Sequence, residues 1–384
     1  MHFEFNEEQQ MIRKAARDFA VNECLPGVIE RDEHQKFPLE QLTHLASLGF
    51  MGMMVDTEYG GAGLDTVSYV LAMEEISKID ASVSVSMSVN NSLVCWGLNK
   101  FGTHEQKSKY LVPLAQGLKD DKLYIGAFLL SEPEAGSDAT SQRTIAEDKG
   151  DHYLLNGTKN WITNGNTASV YLVMAQTDVS KGSKGINAFI VEKNSSGITI
   201  GAKENKMGIR GSDTHSILFQ DVKIPKENRI GEAGFGFKFA MQTLTGGRIG
   251  IAAQALGIAS GAYELSVKYA KERKAFGKTI SHHQAIQFKL ADMATRIEAS
   301  RLLCLKAAFE KDKGIDFSLS SSMAKVFASE TAMWTTIEAV QIHGGYGYVK
   351  EYHVERLMRD AKVTQIYEGT SEVQRMVISR AVLQ

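Results

Sequence analysis

Apolar residues along this chain change their spacing twice, and the two changes limit what it can fold into. Through positions 6–117 they recur every three or four residues, as in Met11-Ile12-Ala15-Phe19 and Leu42-Leu45-Leu48, the spacing of helices that bury one stripe. Gly60-Gly61-Ala62-Gly63 breaks that stretch as a loop. Over 123–225 the pattern gives way to short β-rich runs at 124–130, 153–155, 170–175, 188–191 and 216–219, parted by Gly, Asn and Lys turns. Helical spacing returns from Phe235, clearest in Ile286-Leu290-Met293-Ile297 and in a small-residue helix after Arg248 that can pack closely against neighbours. The expected architecture is α+β and multidomain: an N-terminal helical domain over 1–121, an all-β domain over 122–228 and a C-terminal helical domain over 229–384. Pro113 and Pro225 fall near the two transitions, and no repeat or low-complexity tract intervenes. With 384 residues, 43% of them apolar, the chain can fill the cores of two or three such domains.

A formal net charge of -2 with interspersed signs gives no basic footprint for nucleic acid and no basic amphipathic segment for a membrane surface. The expected ligands are small molecules or proteins. Cys24, Cys95 and Cys304 form neither a CxxC nor a Cys/His cluster, so they read as reduced core thiols, with no disulfide framework and no metal site. The acidic opening MHFEFNEEQQMIRK fits neither a secretory signal nor an Arg-rich transit peptide, and no stretch has the length to span a bilayer. A cytoplasmic location is expected, or the mitochondrial matrix for a processed eukaryotic form.

Several segments combine chemistry-bearing residues. In 360–375, DAKVTQIYEGTSEVQR, the Glu368 carboxylate stands between the Tyr367 ring and Gly369: the glycine permits close backbone approach, the ring sheds water, and an apolar setting raises a carboxyl pKa toward that of a general base. The plain alternative is a polar turn between helices. Residues 129–138, LLSEPEAGSD, run a strand into a turn whose amides and Ser131 and Ser137 hydroxyls suit a polar ring edge or a phosphate, or simply a β-turn. Trp161 and Thr163 lie two apart on one strand face, where an indole and a hydroxyl can cover a planar heterocycle; a buried core Trp competes. Residues 273–278, RKAFGK, read as a basic helix C-terminus with a Gly stop, or as Arg273 on a pyrophosphate with Phe276 on a ring. Gly344-Gly345 closes a helix as a cap, or as a loop that admits a phosphate. A P-loop and a Rossmann GxGxxG are both absent, and His282, His283 and His343 lack metal-ligand spacing.

Taken in order, LLSEPEAGSDA, WITNG, RKAFGK, QIHGGYGY and QIYEGTSE resemble the acyl-CoA dehydrogenase family from end to end. SVSMSVNNSL at 84–93 and TLTGGRIGIAAQALGIA at 243–259 look most like its short-chain, butyryl-CoA type. The resemblance implies a helical domain, a middle β-barrel and a C-terminal four-helix bundle, a homotetramer, and one FAD per subunit. It implies that Phe128, Leu130, Ser131, Gly136, Ser137, Trp161 and Thr163 hold the flavin ring. Arg273, Phe276, His283, Gln284, Gln341, Gly344 and Gly345 then reach the adenosine-pyrophosphate half, partly from a neighbouring subunit, and Thr370 and Glu372 touch the cofactor after the base. Ser137, Thr245, Arg248, Tyr367 and Gly369 correspond to acyl-CoA contacts. Thr245 stands where relatives often carry Asp, and Glu134 where Gly is usual.

The implied reaction removes the α-proton of a thioester with Glu368 while the β-hydrogen leaves as hydride to the flavin, giving a trans-2-enoyl-CoA. The enolate oxygen is met by the Glu368 backbone amide and a flavin ribityl hydroxyl, and electrons pass to an electron-transferring flavoprotein. Rival readings are a medium- or branched-chain dehydrogenase, an acyl-CoA oxidase, and a silent CoA-binding protein. Residues 81–99 carry no charged side chain, which disfavours a dicarboxyl substrate if they line the acyl tail. Some relatives carry the base at the position of Gly247, which here has nothing to titrate.

Overall fold

A computed structural model describes residues 4–384. Helix α1 (Glu7–Phe19) starts in a capping box, Asn6 with Gln9, and buries Ala16 and Phe19. Helix α2 (Thr66–Ser77) is capped by the Asp65 carboxylate and buried almost throughout. Helix α3 (Ala81–Ser88), capped by Asp80, continues as a π-helical segment, Val89–Cys95, so the uncharged stretch runs buried through the interior. Shorter helical turns join these elements.

The middle third forms one eight-stranded sheet. Its strands are β1 (Gly126–Leu129), β2 (Ile145–Asp148), β3 (His152–Thr163), β4 (Val170–Gln176), β5 (Ile186–Glu192), β6 (Ile198–Ile200), β7 (Thr214–Pro225) and β8 (Arg229–Ile230). The hydrogen-bonded order is β8-β5-β4-β2-β3-β7-β6, with β1 running parallel beside β4. Strands β1 to β5 and β7 turn side chains into a single core that includes Leu129, Tyr153, Leu155, Tyr171, Phe189, Phe219 and Ile224, so the sheet curls around its own interior. The β3/β7 register slips between Lys159 and Ile162, a bulge that Trp161 occupies with a left-handed φ of 61°.

The C-terminal third holds α4 (Gly236–Glu272), α5 (Gln284–Asp312), α6 (Ser318–His343), α7 (His353–Val363) and α8 (Ser371–Leu383). Helix α4, rich in Gly and Ala, runs through the centre against α2, α3 and α6. A Cβ at Gly257 would lie 2.4 Å from the Glu74 carbonyl oxygen, so the close approach of α2 and α4 requires glycine. Ion pairs stitch the parts together: Arg301 to Glu74 at 2.7 Å and Arg359 to Asp32 at 2.7 Å. Asp360, paired with Arg356 at 3.1 Å, also accepts from the Ile209 amide beyond the sheet.

One expected helix end is corrected. Helix α4 stops at Glu272, and 274–279 form a two-stranded hairpin with Phe276 and Gly277, both at positive φ, at its tip. Gly277 is a hairpin glycine, not a helix cap, because Arg273 is already extended at φ -71° and ψ 128°. The three cysteines are buried free thiols. Among the described residues no helix is long and apolar enough to cross a membrane.

Candidate active site

Glu368 sits in the turn between α7 and α8 with φ 52°, and Gly369 follows at φ 89°. A non-glycine residue in the left-handed region costs about 1–3 kcal/mol unless its surroundings impose it. Here they do. The Gln374 amide donates to the Glu368 and Gly369 carbonyls at 3.3 and 3.1 Å, Lys325 Nζ donates to the Gly369 carbonyl at 2.7 Å, and the Ser371 amide closes the turn on the Gln365 carbonyl. Thr370 caps α8 by accepting from the Val373 amide at 3.3 Å. The turn thus aims the carboxylate at the middle of α4.

There, Gly247 leaves the space. A Cβ at that position would stand 2.1 Å from Glu368 Oε2 and 2.7 Å from Leu93 Cδ2. Oε2 is buried without a hydrogen-bond partner. Burial drives the Glu368 carboxyl up to about 7, against the opposing pull of Lys325 and Arg248. The Glu368 amide N–H has no partner among the described residues. Arg248 donates from Nη1 to Ser322 Oγ at 3.1 Å while its buried Nε is unsatisfied. Tyr367 donates its hydroxyl to Gln254, whose amide is in turn tied to Ala81 O at 2.9 Å and Ser84 Oγ at 3.2 Å. One turn along α4 from Gly247, a Cβ at Gly250 would meet Tyr69 Oη at 2.6 Å and Ser88 Oγ at 2.7 Å, a pair that hydrogen-bonds at 2.8 Å. The surroundings of Glu368 on α4 are therefore closely packed, uncharged on the α3 side, with the Tyr69 hydroxyl one turn along the helix.

The sheet supplies a second face. Phe128 stacks on Phe239 at 6.3 Å and Leu130 is buried beside them. The turn after Leu130 is held from beneath by Lys159, fully buried, which donates to Leu130 O at 3.0 Å, Gln142 Oε1 at 3.1 Å and Glu132 Oε1 at 2.8 Å. Ser131 accepts the Asn160 amide at 2.9 Å. Trp161 is 60% exposed, so the core-Trp alternative fails and the indole is available to a ligand. Ser137 and Gly136 are exposed, and Thr163 is half-buried. Glu134 turns away to pair with Arg143 at 2.8 Å.

A third group lies around the hairpin. Arg273 covers the Tyr346 ring at 5.5 Å and shares an open groove of about 530 Å³ with Tyr269, His343, Gly344 and Gly345. Phe276 is 95% exposed, with His283 edge-on at 6.0 Å. Gln284 and Gln341 are exposed on their helices, and Glu372 is exposed in the first turn of α8, next to the Glu368 turn. Thr245 spends its hydroxyl on the Met241 carbonyl at 2.9 Å.

The sheet face offers a wall for a planar ring, and the Arg273 groove a place for a phosphate-bearing arm. Gly136 and Gly345 are the sharpest signs. Neither has positive φ, and nothing lies within 4 Å of a Cβ built on either, so neither conformation nor packing calls for glycine. Approach of a ligand to the backbone does. The predicted residues fall into three groups, and only Glu368, Arg248, Tyr367, Gly369 and Thr370 gather at the α4 centre. Lys325, Gln374, Gln254, Tyr69 and Lys159 escaped the reading of the sequence. Lys325 left one signal, as the sole charged residue between Asp316 and Glu330.

Residues 6–118, 127–222 and 234–383 match, respectively, the families described as acyl-CoA dehydrogenase N-terminal, middle and C-terminal domain. The chain is 49% identical to the short-chain specific acyl-CoA dehydrogenase of Clostridium acetobutylicum, covering 99% of each. It superposes on butyryl-CoA dehydrogenase of Megasphaera elsdenii with TM-score 0.97 and 51% identity over 100% of both chains. A chain in the structure of the electron transferring flavoprotein of Acidaminococcus fermentans gives the same TM-score of 0.97, with 51% identity and full coverage.

Proposed function

Because this chain belongs to the acyl-CoA dehydrogenase family, as a FAD-dependent oxidoreductase, we propose that it dehydrogenates short-chain acyl-CoA thioesters to trans-2-enoyl-CoA with Glu368 as the base. The observation that carries this reading is the buried, unpartnered Glu368 Oε2 against Gly247, with a carboxyl raised to about 7. A buried base matched to neutral pH is what removal of a carbon-bound proton needs.

FAD, when bound, would supply the acceptor for the hydride from the β-carbon. The rest falls to the protein. Phe128, Leu130, Ser131, Gly136, Ser137, Trp161 and Thr163 would hold the ring portion. Arg273, Phe276, His283, Gln284, Gln341, Gly344 and Gly345 would hold the phosphate arm, with Thr370 and Glu372 at the start of α8. Glu368 takes the α-proton, and its free amide N–H stands ready for the developing enolate oxygen. Tyr367 and Arg248 shield the carboxylate from bulk water, and Ser137, Thr245 and Gly369 flank the thioester path.

The contacts on α4 support a short acyl chain. Tyr69 and Ser88 meet the helix three residues beyond Gly247, a rise of roughly 4.5 Å. That depth admits a few carbons past the α-position, in keeping with the short-chain relatives. An electron-transferring flavoprotein is the proposed acceptor, supported by the full-length likeness to a chain of such a structure. The test is anaerobic stopped-flow bleaching of the flavin by butyryl-, hexanoyl-, octanoyl- and isovaleryl-CoA. Highest specificity for butyryl-CoA with a steep fall beyond hexanoyl is expected; preference for octanoyl or isovaleryl substrates overturns the chain-length assignment.

A further inference from the structure

We propose that Lys325 is a positioning residue for Glu368: its ammonium holds the Gly369 carbonyl so that the turn presents the carboxylate, and its charge sets the pH at which that carboxylate is ready to accept a proton. The inference rests on Glu368 being the base. Lys325 is fully buried on α6, and its ammonium makes one hydrogen bond among the described residues, the 2.7 Å contact to Gly369 O. Gln374 already gives the same carbonyl a neutral donor at 3.1 Å. Geometry alone could therefore be served without a charge, and a buried charge is costly unless an opposite charge lies nearby.

Glu368 is that opposite charge. The groups that face it are Lys325 on α6, Arg248 on α4, the Tyr367 hydroxyl in its own turn and the Tyr69 hydroxyl on α2, while Glu372 of α8 acts on Lys325. Two cations favour the carboxylate and burial opposes them; of the two, only Lys325 also grips the turn. Burial pushes Lys325 down to about 8, so it is still largely protonated at neutral pH. Removing its charge while Arg248 stays must raise the proton affinity of Glu368.

The experiment uses the FAD-loaded enzyme and follows flavin bleaching by butyryl-CoA from about pH 5.5 to about pH 9.5. Its variants are Lys325→Met, Lys325→Gln, Lys325→Arg and Gln374→Leu, each also measured with Glu368→Gln. Both neutral replacements of Lys325 are expected to move the rising limb of the rate upward by about one pH unit or more. That is roughly a tenfold loss on the acid side of the limb. Lys325→Arg keeps the limb near its original place, and Gln374→Leu lowers the rate at all pH without moving it. A second readout is free of turnover: the difference in melting temperature between each protein and its Glu368→Gln partner titrates with the Glu368 carboxyl, and its midpoint should move with the limb. If Met or Gln leaves both midpoints unmoved, or Arg moves them as far, the proposal fails. A rising limb that persists in Glu368→Gln alone sinks the base assignment instead, and the two failures are thereby told apart.

Discussion

A carboxylate proposed to take a proton from carbon near neutral pH must be more basic than an ordinary glutamate, and burial of Glu368 Oε2 without a hydrogen-bond partner raises it in that direction. The same arrangement works against the fold. A carboxyl raised from 4.5 to about 7 costs the native state roughly 2–4 kcal/mol in its charged form. For an acid whose pKa rises on folding, that cost is fully present above about 7 and is gone below 4.5. Glu368→Gln, which mimics the protonated acid, is therefore expected to melt higher than wild type at about pH 8 and at the same temperature near about pH 4. It should retain FAD and acyl-CoA while flavin reduction slows by at least ~10²–10⁴. Near-normal bleaching would show that another group takes the proton. Gly247 gives the complementary test. In wild type a side chain there collides with Oε2 at 2.1 Å, so Gly247→Ala should displace the base and slow flavin reduction. With Glu368→Gly the space is vacated, and Gly247→Glu should recover part of the lost rate from the α4 side; no recovery would mean that the two positions do not serve the same α-carbon.

Among the elements, the turn after β1 shows how a segment that reads as ordinary turn chemistry becomes a rigid wall. Its serines and glycine were visible in the sequence; the buried cation beneath them was not, because Lys159 lies on β3, 27 residues from Glu132. Burial alone would raise the Glu132 carboxyl, but the Lys159 charge and the bonds from Arg143 and Thr144 outweigh it and hold it below its usual value. Removing the cation leaves a buried carboxylate unpaired, so Lys159→Met should destabilise by roughly 3–5 kcal/mol and loosen the flavin. The stabilisation from a carboxyl held low is present above its unfolded value and lost as pH falls through the folded one. The gap between wild type and variant should accordingly narrow toward acid, where a protonated Glu132 needs no cation. Thermal melts with flavin release across pH check this, and a gap that widens in acid would count against the pairing as its cause. The hairpin at 274–279 taught the opposite lesson: Gly277 looked like a helix stop, and only the positive φ of Phe276 and the pairing of Lys274 with Thr279 reveal a two-stranded tip.

For the whole molecule, the α, β, α order was legible because each layer writes its own spacing of apolar residues, and the two changes in that spacing fall near the ends of the sheet. The candidate base was legible because Glu368 and Gly369 are adjacent in sequence. What spacing could not carry were contacts between distant segments, such as Gln254 with Tyr367 or Lys325 with Gly369. Nor could it show which apolar residues stay outside. Phe288 and Leu302 on α5, Ile337 on α6, and Met376, Val382 and Leu383 on α8 are exposed at 43% or more. Apolar side chains on three helices of one bundle are more than a single soluble chain usually leaves to water, and further copies of the chain would cover them. Phe276, 95% exposed at the tip of a hairpin beside the Arg273 groove, has the form of a group reaching a neighbour. A homotetramer in which the hairpin completes an adjoining cofactor site would account for both. Light scattering should give four times the chain mass. Arg273→Ala is expected to lower flavin content and shift the assembly toward smaller species together, since a cofactor shared between subunits stabilises whichever state binds it. Full flavin occupancy in that variant, or flavin loss from an intact tetramer, would separate the two effects and refute the shared site.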